Sequence, residues 1–168
     1  MNRPGLFSLA AGLSLASPAL AGAAVGIGDV FPPLVSAGLA GGTLPDTAGK
    51  VVLVDFWASW CAPCKASFPA YGRLNAEFAP RGLVIVAVSV DEDASAYESF
   101  VRKFSPPFLV ALDKGQNLVR AVQVPTMPTS YLIDRKGRVR YAHPGFRGAA
   151  TEQALRREIE ALLSDKTP

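Results

Sequence analysis

The sequence predicts an α/β domain, a mixed central sheet flanked by helices, and three observations carry that reading. Uninterrupted β-branched runs at "VVLVDF" (51–56) and "GLVIVAVSV" (82–90) have the pattern of strands buried on both faces. Segments with apolar residues at helical spacing lie between and after them, and a strand–helix–strand order implies a right-handed parallel crossover. Towards the C-terminus the pattern changes to two short strands around a turn, an antiparallel hairpin, which makes the sheet mixed.

One domain is the natural content of 168 residues that are 49% hydrophobic and 18% charged. Seventeen Lys and Arg against fourteen Asp and Glu give a formal charge of +3, too slight and too scattered to suggest nucleic-acid binding. The one basic run, Arg135, Lys136, Arg138 and Arg140, surrounds a turn and reads as a solvated hairpin tip.

The first 21 residues read as a signal peptide. Arg3 is followed by an uncharged apolar stretch from Leu6 to Ala16 and by Ala19-Leu20-Ala21, the small-x-small pattern of a signal-peptidase site. Cleavage after Ala21 leaves a mature domain of 22–168 in an exported, periplasmic compartment, which permits disulfides. An uncleaved anchor is the alternative; the absence of cysteine near the cleavage point excludes a lipoprotein anchor.

From Val25 to Gly49 the chain is rich in Gly and Pro, an N-terminal extension with at most two short strands around Leu34 and Leu44. The first buried strand, Val51 to Phe56, comes next. Phe68, Tyr71, Leu74 and Phe78 then define a helix that Pro69 must kink or interrupt. After the second strand, Asp91, Glu92 and Asp93 mark an acidic helix start ahead of the apolar face Tyr97, Phe100, Val101 and Phe104. Phe108 to Leu112 is a third core strand, and Leu118, Val119 and Val122 belong to a short helix. "SYLID" and "RVRYAH" flank the turn Asp134-Arg135-Lys136-Gly137. In the last helix Thr151 is the expected N-cap, with Leu155, Ile159 and Leu162 facing the sheet.

The chemistry rests on Cys61 and Cys64, the only two cysteines. Structural zinc needs four soft or imidazole ligands, and two Cys with one His fall short. Covalent haem needs His directly after the second cysteine, where this chain has Lys65. A purely structural staple is poorly served by so short a loop, since crosslink stabilisation grows with loop length. Redox exchange accounts for more. Cys61, just before the helix, meets unpaired N–H groups and the positive end of the helix dipole, which favour a thiolate. Cys64, one turn in, is the resolving thiol, and Pro63 suits a first helical turn.

"VVLVDFWASWCAPCK" with Pro69 beyond it, and "VPTMPTSYLIDRKGRV" further on, resemble exported thioredoxin-like thiol–disulfide oxidoreductases of the TlpA/ResA type. The resemblance runs from about Gly28 to the end. It implies a thioredoxin-like fold with an inserted strand–helix segment at 84–112. It also implies that Pro128 is a cis-proline facing the cysteines and that the Met127 backbone pairs with an extended substrate segment. Such reductases commonly carry Glu three residues after the second cysteine, and here Ser67 stands there. They often have Asn two residues before the Trp, and here it is Asp55. A buried carboxylate under the resolving thiol can do general acid/base work at a raised pKa; a strand acid satisfied by hydrogen bonds is the plainer reading of Asp55. Trp60 offers a partner protein an apolar rim beside the nucleophile.

The leading function is therefore a reductant of protein disulfides, working as a monomer without cofactor or metal. Its implied partners are apocytochrome c, copper-site proteins or misoxidised thiols, with electrons from a membrane thiol transporter. A thiol oxidant and a copper chaperone using Cys61, Cys64 and His143 are the alternatives; otherwise His143 reads as a surface or packing residue. Nothing matches the Thr-x-x-Cys pocket of peroxiredoxins.

Overall fold

The computed structural model describes residues 24–165; the signal-peptide reading of 1–21 lies outside them. Five strands form one sheet in the order β3-β2-β1-β4-β5. These are β1 (Val51–Trp57), β2 (Leu83–Ser89), β3 (Leu109–Leu112), β4 (Thr129–Ile133) and β5 (Val139–Pro144). β1, β2 and β3 run parallel, and β4 and β5 are antiparallel to their neighbours, so the predicted mixed sheet is present. The helices are α1 (Ala62–Phe78), α2 (Ala94–Phe104), α3 (Asn117–Val122) and α4 (Ala149–Ser164). None of the helices among the described residues is long and apolar enough to cross a membrane.

All seven residues of β1 are buried, which is why its sequence shows no polar alternation. Successive side chains go to opposite faces. Val51 and Leu53 pack with Tyr71, Leu74 and Phe78 of α1 and with Leu155, Ile159 and Leu162 of α4. Val52, Val54 and Phe56 pack with Leu118 and Val122 of α3 and with Phe31 and Leu34 of the extension. Asp55 thus falls on the α1 side of the strand. The inserted α2 lies beside α1: Phe100 meets Phe68 at 5.0 Å and Trp57 at 4.4 Å between ring centroids.

Four local expectations need correction. Pro69 does not interrupt α1, which runs on to Phe78. The ladder lacks the N–H that Pro69 cannot supply, and the buried stripe Phe68, Tyr71, Leu74 and Phe78 holds the helix together across the gap. The N-cap of α4 is Gly148 at φ 60°, not Thr151. Thr151 sits three residues in and reaches back, its Oγ1 accepting from Arg147 N at 2.9 Å. Leu34 and Leu44 are not in strands: Leu34 lies in a single 3-10 turn, Leu34–Ser36. The extension is an irregular strap tied by isolated bridges from Val30 to Arg138 and from Ala40 to Leu112, because Gly41, Gly42 and Pro45 deny it the donors and side chains of a strand. Finally, Arg135 is no solvated hairpin residue. Its guanidinium donates to the Leu162, Leu163 and Asp165 carbonyls and closes the C-terminus of α4.

Candidate active site

The helix that carries the cysteines starts on a sulfur. Cys61 is the N-cap of α1, and its Sγ accepts from the Cys64 backbone N–H at 3.2 Å. Pro63 occupies the first turn, where a missing N–H is no loss. Cys61 and Cys64 are joined in a disulfide with Cα atoms 5.3 Å apart. The two thiols differ in access: Cys61 is 5% exposed and Cys64 0%. An N–H already aimed at the Cys61 sulfur is a preorganised donor for negative charge there.

Cys64, Ser67 and Tyr71 lie at successive turns of one buried stripe of α1. At the end of that stripe the Tyr71 hydroxyl donates to Asp55 Oδ1 at 2.8 Å. Asp55 is 0% exposed, and its Oδ2 has no hydrogen-bond partner among the described residues. Burial raises the Asp55 carboxyl to about 8, against the smaller downward pull of the Tyr71 hydrogen bond. Burial and the adjacent carboxylate likewise hold the Tyr71 phenol well above its ordinary value. The Tyr71 hydroxyl also meets the hydroxyls of Ser67 and Ser130, and Ser67 Oγ donates to the Cys64 carbonyl at 2.8 Å. Asp55 is therefore not a strand acid satisfied by backbone bonds. It is an under-satisfied buried carboxyl that, with the disulfide formed, holds its proton up to about 8.

The rim is built from two loops. Trp60 is 70% exposed beside Cys61. The Met127–Pro128 peptide bond is cis, and Met127 packs against the core cluster that contains both cysteines. Thr129 pairs with Phe56, so Pro128 stands one step further, at the end of the sheet from which the cysteine loop leaves β1. Asp91 fixes that loop from below. It is 3% exposed and accepts from Ser59 N at 3.0 Å, Ser59 Oγ at 2.8 Å and Ser89 Oγ at 2.7 Å. Of the acidic trio only Asp93 is the helix cap, accepting from Ser95 N.

His143 stands apart from the cysteines. It lies opposite Ser130, which in turn lies opposite Asp55, and its Nε2 pairs with Glu158 Oε2 of α4 at 2.6 Å. Sequence reasoning missed Tyr71, read there as an apolar helix position, as well as Ser130 and Asp91. For Tyr71 a signal existed: it is seven residues after Cys64, two turns along the same face, and it carries a hydroxyl that burial obliges to find a partner.

A mixed sheet with a disulfide at the head of its first long helix and a cis-proline entering the neighbouring strand define a thioredoxin-fold dithiol–disulfide protein. The chain belongs to the Redoxin family, whose model matches residues 27–159. It is similar to the thiol-disulfide oxidoreductase ResA of Geobacillus kaustophilus (strain HTA426), 31% identical over 141 residues, 83% of this chain and 79% of that one. The ResA of Bacillus thuringiensis (strain Al Hakam) is 38% identical over 96 residues, 57% of this chain; this chain spans 56% of that relative's length. The crystal structure of a protein assigned as a thiol:disulfide interchange protein DsbE from Chlorobium tepidum matches with a TM-score of 0.76 and 37% identity, over 84% of this chain and 100% of that one.

Proposed function

We propose that this protein is an exported thiol–disulfide oxidoreductase that reduces disulfides of other proteins by cycling Cys61 and Cys64 between dithiol and disulfide. The observation that carries the reading is the Cys64 N–H directed at the Cys61 sulfur at the start of α1, with Cys64 fully buried behind it. In the reduced protein the Cys61 thiolate attacks a substrate disulfide, forming a mixed disulfide and releasing one substrate thiolate. The Asp55 carboxylate takes the proton of Cys64. The Cys64 thiolate then attacks the Cys61 sulfur, expelling the second substrate thiolate and leaving the Cys61–Cys64 disulfide with a protonated Asp55. Re-reduction runs the other way: an incoming thiolate opens the disulfide, and Asp55 returns its proton to Cys64. The raised pKa of Asp55 in the disulfide form supports this assignment, since that is the state in which the cycle leaves the proton there.

Trp60 and the Met127 backbone ahead of cis Pro128 form the surface on which substrate docks. Residues 1–21 direct export, and the mature domain is 22–168. The resemblance to ResA and DsbE proteins supports a periplasmic site of action, cytochrome c maturation or copper-site thiols as the substrate class, and a membrane thiol-transfer protein as electron donor. The copper-chaperone alternative needs His143 free to join the cysteines, and His143 is engaged by Glu158 Oε2 at 2.6 Å.

The test is trapping. Expressed in an exporting host, the Cys64→Ser variant accumulates mixed disulfides through Cys61, and the Cys61→Ser variant does not. Equal trapping by both, or by neither, removes the dithiol mechanism. The redox potential of the pair, measured against glutathione and dithiothreitol buffers, decides the direction; a value near −270 mV marks a reductant and one near −120 mV an oxidant, on the scale of about 30 mV per 1.4 kcal/mol.

A further inference from the structure

A lone buried carboxylate can present either oxygen, or rotate between them, and neither is then committed to the thiol. Here the two oxygens differ. Oδ1 accepts the Tyr71 hydroxyl at 2.8 Å, and Oδ2 is buried with no partner among the described residues. The phenol is itself held, because its hydroxyl meets Ser130 on β4 and Ser67 on its own helix, and the ring packs at 6.3 Å from Phe108 and 6.2 Å from Phe146. We infer that Tyr71 is a positioning residue for the exchange: it ties Oδ1 of Asp55 and so reserves Oδ2 as the atom that takes the Cys64 proton and gives it back. The inference rests on the proton role proposed for Asp55. No bond order or electron count changes at Tyr71; one proton passes between the Cys64 sulfur and Oδ2.

The surroundings offer Tyr71 no rival. β2 places Ala87 opposite Asp55, and β4 places Ser130 there. The elements around Asp55 also carry the cysteine pair at the start of α1, His143 of β5 beyond Ser130 and Glu158 of α4, which pair with each other, and Arg73 of α1 with Glu152 of α4, which likewise pair with each other. Tyr71 is the one side chain shown donating to the carboxylate among the described residues.

The experiment follows the ¹³C resonance of the Asp55 carboxyl carbon with pH in the oxidised protein, assigned by its loss in Asp55→Asn. In Tyr71→Phe a hydrogen bond to a charged group is removed with little change of shape, and the Asp55 titration moves upward by about one pH unit or more. If Tyr71→Phe does not fold, Ser130→Ala is read instead. It removes a hydroxyl from the phenol, weakens it as a donor, and moves the titration the same way by less. An Asp55 titration that stays put in the variant overturns the role of Tyr71 and leaves that of Asp55 standing. A wild-type carboxyl that shows no titration in the neutral-to-alkaline range overturns both.

Discussion

Two buried carboxylates flank the cysteine loop, and they are solvated by the protein in opposite ways. Asp91 faces three donors, Ser59 N, Ser59 Oγ and Ser89 Oγ, and ties the loop that presents Trp60 and Cys61 to the end of β2. Asp55 has, among the described residues, one donor on Oδ1 and no partner on Oδ2. A buried charge with a full set of hydrogen bonds is a fastener; one that lacks them is displaced towards its neutral form and becomes a place to keep a proton. Asp55 lies within β1 and Asp91 two residues past the end of β2, and both are buried, so the contrast between them lies in their hydrogen-bond partners.

The largest effect that separates them is on stability against pH. Asp55 binds its proton in the folded state up to about 8, and in the unfolded chain only up to its ordinary value of 3.8. Between those limits the folded state holds the extra proton, so stability falls as pH rises through the window and levels off above it. Asp55→Asn removes that slope, and at pH 8 the variant is the more stable protein by as much as about 5 kcal/mol. Urea unfolding at pH 5 and pH 8 checks this; parallel behaviour of the two proteins breaks the contrast.

Asp91→Ala acts in the other direction. It strands the Ser59 N–H and two hydroxyls, and the expected loss is about 2–3 kcal/mol. Faster alkylation of the reduced Cys61 thiol accompanies it as the loop loosens. A variant as stable as wild type would make Asp91 a bystander. Asp91→Asn keeps an acceptor while losing the charge, and its expected loss is smaller, about 1 kcal/mol. The smallest effect is that of Arg135→Ala, which frees the carbonyl end of α4 far from both carboxylates. It costs about 1 kcal/mol or less, leaves the reactivity of Cys61 unchanged, and serves as the control that a general loosening is not what Asp91→Ala reports.

What the chain discloses by itself follows from the range of each interaction. The buried strands, the helical stripes and the cysteine pair are local patterns legible in segments such as "VVLVDFWASWCAPCK", while the cis peptide at Pro128 is expected from the family resemblance that "VPTMPTSYLID" helps to carry. Asp91 was not legible, because its partner Ser59 is 32 residues away and only the pairing of β1 with β2 brings them together. Next to Glu92 and Asp93 it looks like any acid at a helix start. Arg135 reads as a hairpin charge for the same reason: the carbonyls it closes lie 27 to 30 residues on. Asp55 could be singled out by its place before the Trp, and a raised pKa follows from its burial, yet its hydrogen-bond partner, a phenol 16 residues later in α1, could not be read.

Whether Asp55 hands its proton to Cys64 when the disulfide opens is open to direct measurement. The direct measurement is the rate at which a dithiol reduces the disulfide in wild type and in Asp55→Asn, taken as a ratio at each pH so that the ionisation of the reductant cancels. General-acid assistance contributes ~10²–10⁴-fold, and with a solvent route competing the ratio is expected near the low end while Asp55 is protonated. It then declines as pH rises through about 8, where the acid is spent. A ratio that stays at one from pH 5 to pH 9 contradicts the account and leaves Asp55 a buried acid with no part in the exchange.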